Sequence, residues 1–372
     1  MENLKYDVKS AAACFAIDGA YIKAETYGNG HINDTFAVYY DDGRVREPFA
    51  QDLTDAPFAR VLMQRINQFV FKEPEKLMEN VDRVTRFVKN KIVARGGDHL
   101  RETLNLIPAA DGNYFHKDAD GNYWRAYLFI EDCTSYEIVS SGRQMYLAGR
   151  AFGNFQNLLS DFPAHILHES IPNFHHTPKR YETFMQVFEA DKHGRAKDVK
   201  KEIEFITARK KDCETVQNLI DSGGLPLRVT HNDTKINNIM FDNKTGEPVC
   251  VVDLDTIMPG SMLFDFGDSV RFGANPAAED ERDLGLVYFK SDYYNEFRKG
   301  FEEELGASMT DTERRLLPMG AKLLTLENGI RFLTDHLNGD VYFKIHRPSQ
   351  NLDRARTQFK LVEGMENYFG DI

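Results

Sequence analysis

The chain has 372 residues, of which 42% are hydrophobic and 28% charged, a globular composition that excludes a disordered, collagenous or coiled-coil chain. Its 46 basic and 58 acidic side chains give a formal charge of −12, which opposes non-specific binding to nucleic acid and leaves room only for a local basic pocket. Cys14, Cys133, Cys213 and Cys250 are scattered at spacings that suit neither a zinc site nor a disulfide framework, and no run approaches the ~20 apolar residues of a membrane span.

The N-terminal MENLKYDVKS is polar, and the AAACFAI that follows is too short for a secretory core. These features lead us to expect a soluble cytoplasmic protein, monomeric or weakly dimeric, that binds no nucleic acid and no membrane. Residues 21–40 read as strand, Gly-bearing turn and strand, with Asp41-Asp42-Gly43 expected to close a hairpin. Residues 59–66 read as a third strand. Residues 74–92 read as a helix, with Pro74 at its start and Leu77, Val81, Val84 and Val88 at helical spacing. Two more strands flank the turn at 118–122, and the second ends near Cys133.

The chain then becomes mainly helical. Residues 143–160 carry an apolar stripe of Met145, Ala148, Phe152, Phe155 and Leu159, and 178–191 and 196–221 give two further helices before Gly223-Gly224 breaks the pattern. Residues 227–256 read as strand, loop, strand, turn, strand, and helices return from about residue 280. The fold class expected is α+β: a small strand-rich lobe over 1–132, a connector near 130–134, and a larger mainly helical lobe over 133–372.

Polar residues crowd the loop between two short apolar strands at His231-Asn232-Asp233-Thr234-Lys235-Ile236-Asn237-Asn238. The pattern is H-x-D-x-K-x-x-N, the arrangement in which an Asp orients and deprotonates an attacking hydroxyl and an Asn holds magnesium during phosphoryl transfer. The strand Val249-Cys250-Val251-Val252 then delivers Asp253, 20 residues after Asp233. A carboxylate at this remove suits the metal that bridges nucleotide phosphates, and magnesium takes only one or two carboxylates from a protein. Asp255 shares a face with Asp253 on an extended strand and is a candidate for a second ion or for a substrate hydroxyl. Lys235 is placed to neutralise charge on the transferring group, whereas His231 fits a loop-fixing role better than a chemical one.

The Gly28-Asn29-Gly30-His31-Ile32-Asn33 turn lies between the first two strands, where backbone amides can cover phosphates. Protein kinases carry a lysine on the third strand, paired with a helix glutamate. Here the stretch is Leu62-Met63-Gln64-Arg65, without lysine. Gln64 and Arg65 point to opposite faces and register decides which meets the nucleotide, with Glu79 an expected partner of Arg65. The connector residues Ile130 and Asp132 are expected beside the adenine. The adjacent histidines of Pro172-Asn173-Phe174-His175-His176 read as an ordered structural loop, and Trp124 as packing.

These residues bring the chain to a family. It resembles the aminoglycoside phosphotransferase and choline kinase group, which has a protein-kinase-like fold, and the likeness runs along essentially the whole chain. HNDTKINN, VVDLDT and DFGDSVR stand in that family's order. Within it, YGNGHINDTF, VLMQRIN, IPNFHHTPKRYE, HNDTKINNIMFD, VVDLDTIMPG, FGDSVRFGAN and LENGIRFLTDHLNGDVYFK are most similar to the N-acetylhexosamine 1-kinases. The resemblance implies ATP, Mg2+ and phosphoryl transfer to the anomeric hydroxyl of GlcNAc or GalNAc. It implies Asp233 as the base, Asn238 and Asp253 as metal ligands, and Asp265 as a brace of the catalytic loop.

Glu327, Arg331 and Asp335 are spaced four apart on one helix face. They read as a surface ion-pair ladder; alternatively Arg331 and Asp335, with Tyr342 and with His31 from the Gly-bearing turn, wall a sugar site opposite Asp233. Two other functions compete. One is a kinase for a different small hydroxyl acceptor, such as an aminoglycoside, choline, homoserine or another sugar. The other is a nucleotide-binding pseudokinase with a regulatory role, for which the missing strand lysine argues.

Overall fold

The computed structural model describes residues 5–28, 32–51, 53 and 58–370. They form two compact units: residues up to Thr134 with Ile166–Ile171 and Met240–Ile257, and Ser135–His165 with Pro172–Ile239 and Met258–Ile372.

The first unit is built on an antiparallel sheet. After the short helix α1 (Val8–Ala12) come β1 (Ile17–Thr26), β2 (Asp34–Val45) and β3 (Phe58–Arg65). The helices α2 (Pro74–Ala94) and α3 (His99–Glu102) precede β4 (Leu106–Ile107), β5 (His116–Lys117), β6 (Tyr123–Leu128) and β7 (Cys133–Thr134). The strand order is β1-β2-β3-β6-β4, with β5 on β6. Period-two alternation sends Phe36, Val38, Val61, Met63, Trp124 and Ala126 into one core with Val8 and Phe15. The other face of β3 and β6 carries Gln64 and Arg125, paired across the strands.

Two differences from the expected elements have clear causes. Asp41-Asp42-Gly43 does not close a hairpin: β2 runs on to Val45, which pairs with Ile17, and Asp42 takes a left-handed φ of 49° beside a register shift. That extra residue is absorbed as a bulge, and the hairpin closes at the other end, between Thr26 and Asp34. The second difference concerns the boundary. After β8 (Arg228–Thr230), which belongs to the second unit, β9 (Ile239–Asp242) and β10 (Pro248–Val251) return to the first. β9 pairs with β7 through Cys133–Asp242 and Thr134–Phe241, and Arg101 ties the same Asp242 at 2.9 Å. The strand that delivers Asp253 therefore belongs, through a three-stranded sheet of β10, β9 and β7, to the first unit rather than to the helical unit that surrounds it in sequence.

The second unit is mainly helical, with one two-stranded ladder of β8 and β11 (Met258–Gly260). Its helices are α4 (Gly142–Leu158), α5 (Thr177–Ala190), α6 (Lys200–Ala208), α7 (Lys210–Asp221), α8 (Met262–Gly273), α9 (Ser291–Leu305), α10 (Asp311–Leu337) and α11 (Gln350–Phe369). The expected single helix over 196–221 is divided at Arg209, whose guanidinium turns to Glu366 of α11 at 2.9 and 2.7 Å. Close approach of α8 to α10 needs glycine: a Cβ on Gly267 would lie 2.2 Å from the Gly320 carbonyl oxygen. That contact seats the helix carrying Asp265 and Asp268. Among the described residues no helix is long and apolar enough to cross a membrane.

Candidate active site

The 231–238 loop leaves β8 and is held by α8. Asp265, fully buried, accepts from the backbone N–H groups of His231 at 2.9 Å and Asn232 at 2.8 Å, and from the Gln156 amide at 2.6 Å. Burial pushes the Asp265 carboxyl above its ordinary range, and those donors together with His231 pull against it. Asp268 accepts from the Thr234 N–H at 3.0 Å and pairs with Arg271 at 2.9 Å. Burial alone would raise its pKa, but Arg271 and Lys235 outweigh that and hold it below the usual carboxylate range. The His231 ring is packed edge-on against Phe152 and Phe155 and accepts the Asp233 N–H at 3.3 Å, a loop-fixing position. Asn232 takes a left-handed φ of 65°, which turns the chain sharply before Asp233.

Asp233 is partly exposed, and each oxygen has a neighbour. Lys235 Nζ lies 2.8 Å from Oδ1, and the Asn238 amide donates to Oδ2 at 3.2 Å and to the Asp233 carbonyl at 2.8 Å. Burial would lower the Lys235 pKa, yet the Asp233 and Asp268 carboxylates outweigh it and raise it. The Asn238 nitrogen is spent on Asp233, which leaves its amide oxygen as the donor available to a hard cation.

A second layer supports this loop. His175 Nδ1 lies 2.8 Å from Glu327 on α10, and Thr177 donates to the other Glu327 oxygen at 2.6 Å. His175 Nε2 faces the Asn232 carbonyl at 3.5 Å. The 172–176 loop therefore connects α10 to the residue before Asp233, a role that adjacent histidines alone do not reveal.

The expected acceptor wall divides. Arg331 lies over the Phe174 and Phe343 rings at 5.4 and 5.6 Å, beside Arg180, which donates to the Phe174 carbonyl at 3.0 Å. Among the described residues neither guanidinium has an ion-pair partner. Burial and the Arg331 charge lower the Arg180 pKa. Asp335 is otherwise employed. Its oxygens accept the backbone N–H groups of Val341 at 3.0 Å, Tyr342 at 2.8 Å and Phe343 at 2.9 Å, and the Asn351 amide at 2.9 Å. It anchors the 339–343 loop, on which the Tyr342 side chain stands 65% exposed. Glu327, Arg331 and Asp335 do not form the ion-pair ladder that their spacing allows.

In the first unit, Gln64 and Arg65 part company as alternation requires. Arg65 pairs with Asp34, reaches Asn122 at 3.4 Å and lies over the Tyr6 ring at 4.4 Å. The expected pairing of Arg65 with Glu79 is not formed: Glu79 meets His168 at 2.7 Å and Arg83 at 3.3 Å. Gln64 Oε1 accepts twice from Arg125, at 3.0 and 2.8 Å. Arg125, only 1% exposed, reaches Asp255 Oδ1 at 2.5 Å, and Asn33 donates to Asp255 Oδ2 at 2.6 Å. Asp255 thus has an ion pair on Oδ1 and a hydrogen bond on Oδ2. Burial would lower the Arg125 pKa, but Asp255 chiefly, with Asp253, holds it above the ordinary value. Sequence reasoning passed over Arg125, although a charge in the apolar run Tyr123–Leu128 is itself a signal that a buried partner exists.

Asp253 follows β10 with a left-handed φ of 62°, so its carboxylate is set by a backbone turn rather than by a continuing strand. Gly28 has a φ of 76°, while Gly30 and His31 lie outside the described residues. Ile130 and Asp132 line a cavity of about 500 Å³ with Arg60, Leu128 and Phe129. The Asp132 carbonyl is taken by the Asn243 N–H at 2.9 Å.

An antiparallel sheet followed by a helical unit, with an H-x-D loop braced by a buried aspartate, defines the protein-kinase-like class. Solved structures of that class share the fold. A microcompartment-associated aminopropanol kinase matches at TM-score 0.61 and 14% identity, over 97% of this chain and 96% of its own. Spectinomycin phosphotransferase, APH(9)-Ia, in complex with ADP and spectinomycin matches at 0.54 and 12%, over 96% and 97%. A choline kinase from Cryptosporidium parvum matches at 0.54 and 14%, over 95% and 90%. Residues 23–298 match the model of the phosphotransferase enzyme family, and the chain belongs to that family.

Proposed function

We propose that the protein is an ATP- and Mg2+-dependent kinase that phosphorylates the anomeric C1 hydroxyl of an N-acetylhexosamine, GlcNAc or GalNAc. The observation that carries the kinase reading is Asp233, a partly exposed carboxylate at the tip of a loop whose backbone is fixed by Asp265 and Asp268. Asp233 accepts the C1 hydroxyl proton. Lys235 and Asn238 contact and orient that carboxylate. Asn238 and Asp253 are the magnesium ligands, supported by their oxygen donors and their spacing from Asp233; bound magnesium neutralises charge on the nucleotide phosphates. Gly28 and Gly30 approach the phosphates, and Ile130 and Asp132 the adenine. Most of the rate enhancement comes from positioning and preorganised charge.

The acceptor reading is supported by charge as well as by the sugar-kinase stretches of sequence. Arg180 and Arg331 cluster at Phe174, and Glu327 is already engaged by His175 and Thr177. Among the described residues neither guanidinium forms an ion pair, and the two together suit an oxygen-rich acceptor and repel an amine. Arg331 and Tyr342, and His31 from the Gly-bearing turn, are the proposed sugar contacts; Asp335 serves through the loop that it anchors.

The test is ADP release from Mg-ATP with GlcNAc, GalNAc, glucosamine, 1-amino-2-propanol, choline and kanamycin, with phosphorus NMR of any product. An anomeric phosphate from an N-acetylhexosamine, with no turnover of the amines, supports the reading. Turnover of an amine alone overturns the acceptor and keeps the kinase.

A further inference from the structure

Protein kinases of this fold hold their nucleotide-side loop through a lysine on the third strand that pairs with a helix glutamate. This chain does not form that pair. β3 offers Gln64, and the α2 carboxylate Glu79 is turned to His168 and Arg83. A buried pair does exist one strand away. Arg125 on β6 reaches Asp255 at 2.5 Å, with side chains 1% and 4% exposed. Its remaining guanidinium edge is held by Gln64 Oε1 at 3.0 and 2.8 Å. Asp255 is held from its other side by Asn33, whose own oxygen accepts the Asn67 N–H at 3.0 Å. Two residues before Asp255 stands Asp253, in the left-handed turn.

We propose that Arg125 is the positioning residue of the Asp253 loop, and that its buried pair with Asp255 replaces the strand lysine and helix glutamate. A buried ion pair has little freedom to rearrange, because either charge left alone in the interior is unfavourable. Asp255 therefore acts as an anchor. The pair joins the middle of the sheet, the end of the Gly-bearing turn through Asn33, and the loop that offers Asp253 to a metal. It takes no carboxylate from α2, which meets the Arg125 guanidinium through the Met78 sulfur at 3.8 Å.

The proposal rests on the nucleotide-binding reading, and the experiment separates the two. Binding of ADP to the full chain is measured by calorimetry in Mg2+ and in EDTA, with adenosine as a control and thermal melting as the check on folding. The quantity read is the gain in ADP affinity that Mg2+ brings. Arg125→Gln is expected to reduce that gain about fivefold while adenosine affinity is kept, and Arg125→Lys, which keeps the charge, to hold it within about twofold. If Asp255 were itself a metal ligand, freeing it from Arg125 would raise the gain, so a rise overturns the proposal. An unchanged gain overturns it as well. Should Arg125→Gln not fold, Arg125→Gln/Asp255→Asn removes both charges; an undiminished gain in that folded variant contradicts the clamp. Failure of the parent to bind ADP in either buffer defeats the nucleotide reading itself.

Discussion

Glu327 and His175 stand 152 residues apart in sequence and meet at 2.8 Å in the interior of the second unit. The contact fixes the ring whose other nitrogen faces the Asn232 carbonyl, one residue before Asp233. Burial alone would raise the Glu327 pKa, yet His175, Arg331 and Thr177 hold it below the ordinary glutamate value of 4.5. The folded state therefore prefers the ionised form, and that stability is present in full above the unfolded value and fades as pH falls below it. Glu327→Gln is expected to cost about 3 kcal/mol at neutral pH. The gap in melting temperature between parent and variant should be constant at neutral pH and narrow once pH drops below the unfolded value of 4.5. A gap independent of pH across that range would contradict an ionised Glu327.

Asp265 makes a separate prediction. Asp265→Ala leaves the buried N–H groups of His231 and Asn232 without their acceptor. Each such group costs about 1–3 kcal/mol. The loop then loses its fixed turn, so kcat should fall at least about tenfold while the nucleotide KM moves less than about threefold. Steady-state kinetics on the folded variant decides; a nucleotide KM that rises as much as kcat falls would show a general loss of structure instead.

Asp335 separates an anchor from a contact. Asp335→Ala removes the acceptor for three successive backbone amides, Val341 to Phe343. Hydrogen exchange should accelerate at those three amides, with the acceptor KM rising alongside. Tyr342→Phe keeps the loop and removes only a hydroxyl, so its exchange should match the parent. Unchanged exchange in Asp335→Ala would remove the anchor from the account.

Local signals made much of this molecule legible. The H-x-D-x-K-x-x-N spacing located the Asp233 loop, because a loop that must hold several polar groups near one point fixes their separation in sequence. Strand alternation likewise separated Gln64 from Arg65. Side-chain partners from distant elements were not legible. Glu79 was a reasonable partner for Arg65 until register gave Arg65 to Asp34. The four-residue spacing of Glu327, Arg331 and Asp335 gave one helix face, but what each carboxylate meets is decided by the 172–176 and 339–343 loops folding back on that helix. The first unit's claim on 240–257 was hidden for the same reason, since it depends on a two-residue strand at Cys133–Thr134 pairing with β9.

The proposed reaction makes Asp233 the base of a phosphoryl transfer. Its most direct test is Asp233→Asn, compared with the parent for turnover of Mg-ATP with N-acetylglucosamine and for Mg-ADP binding. Turnover is expected to fall about 10³-fold or more, with Mg-ADP affinity within about threefold of the parent. Near-parental turnover in a folded variant would contradict it.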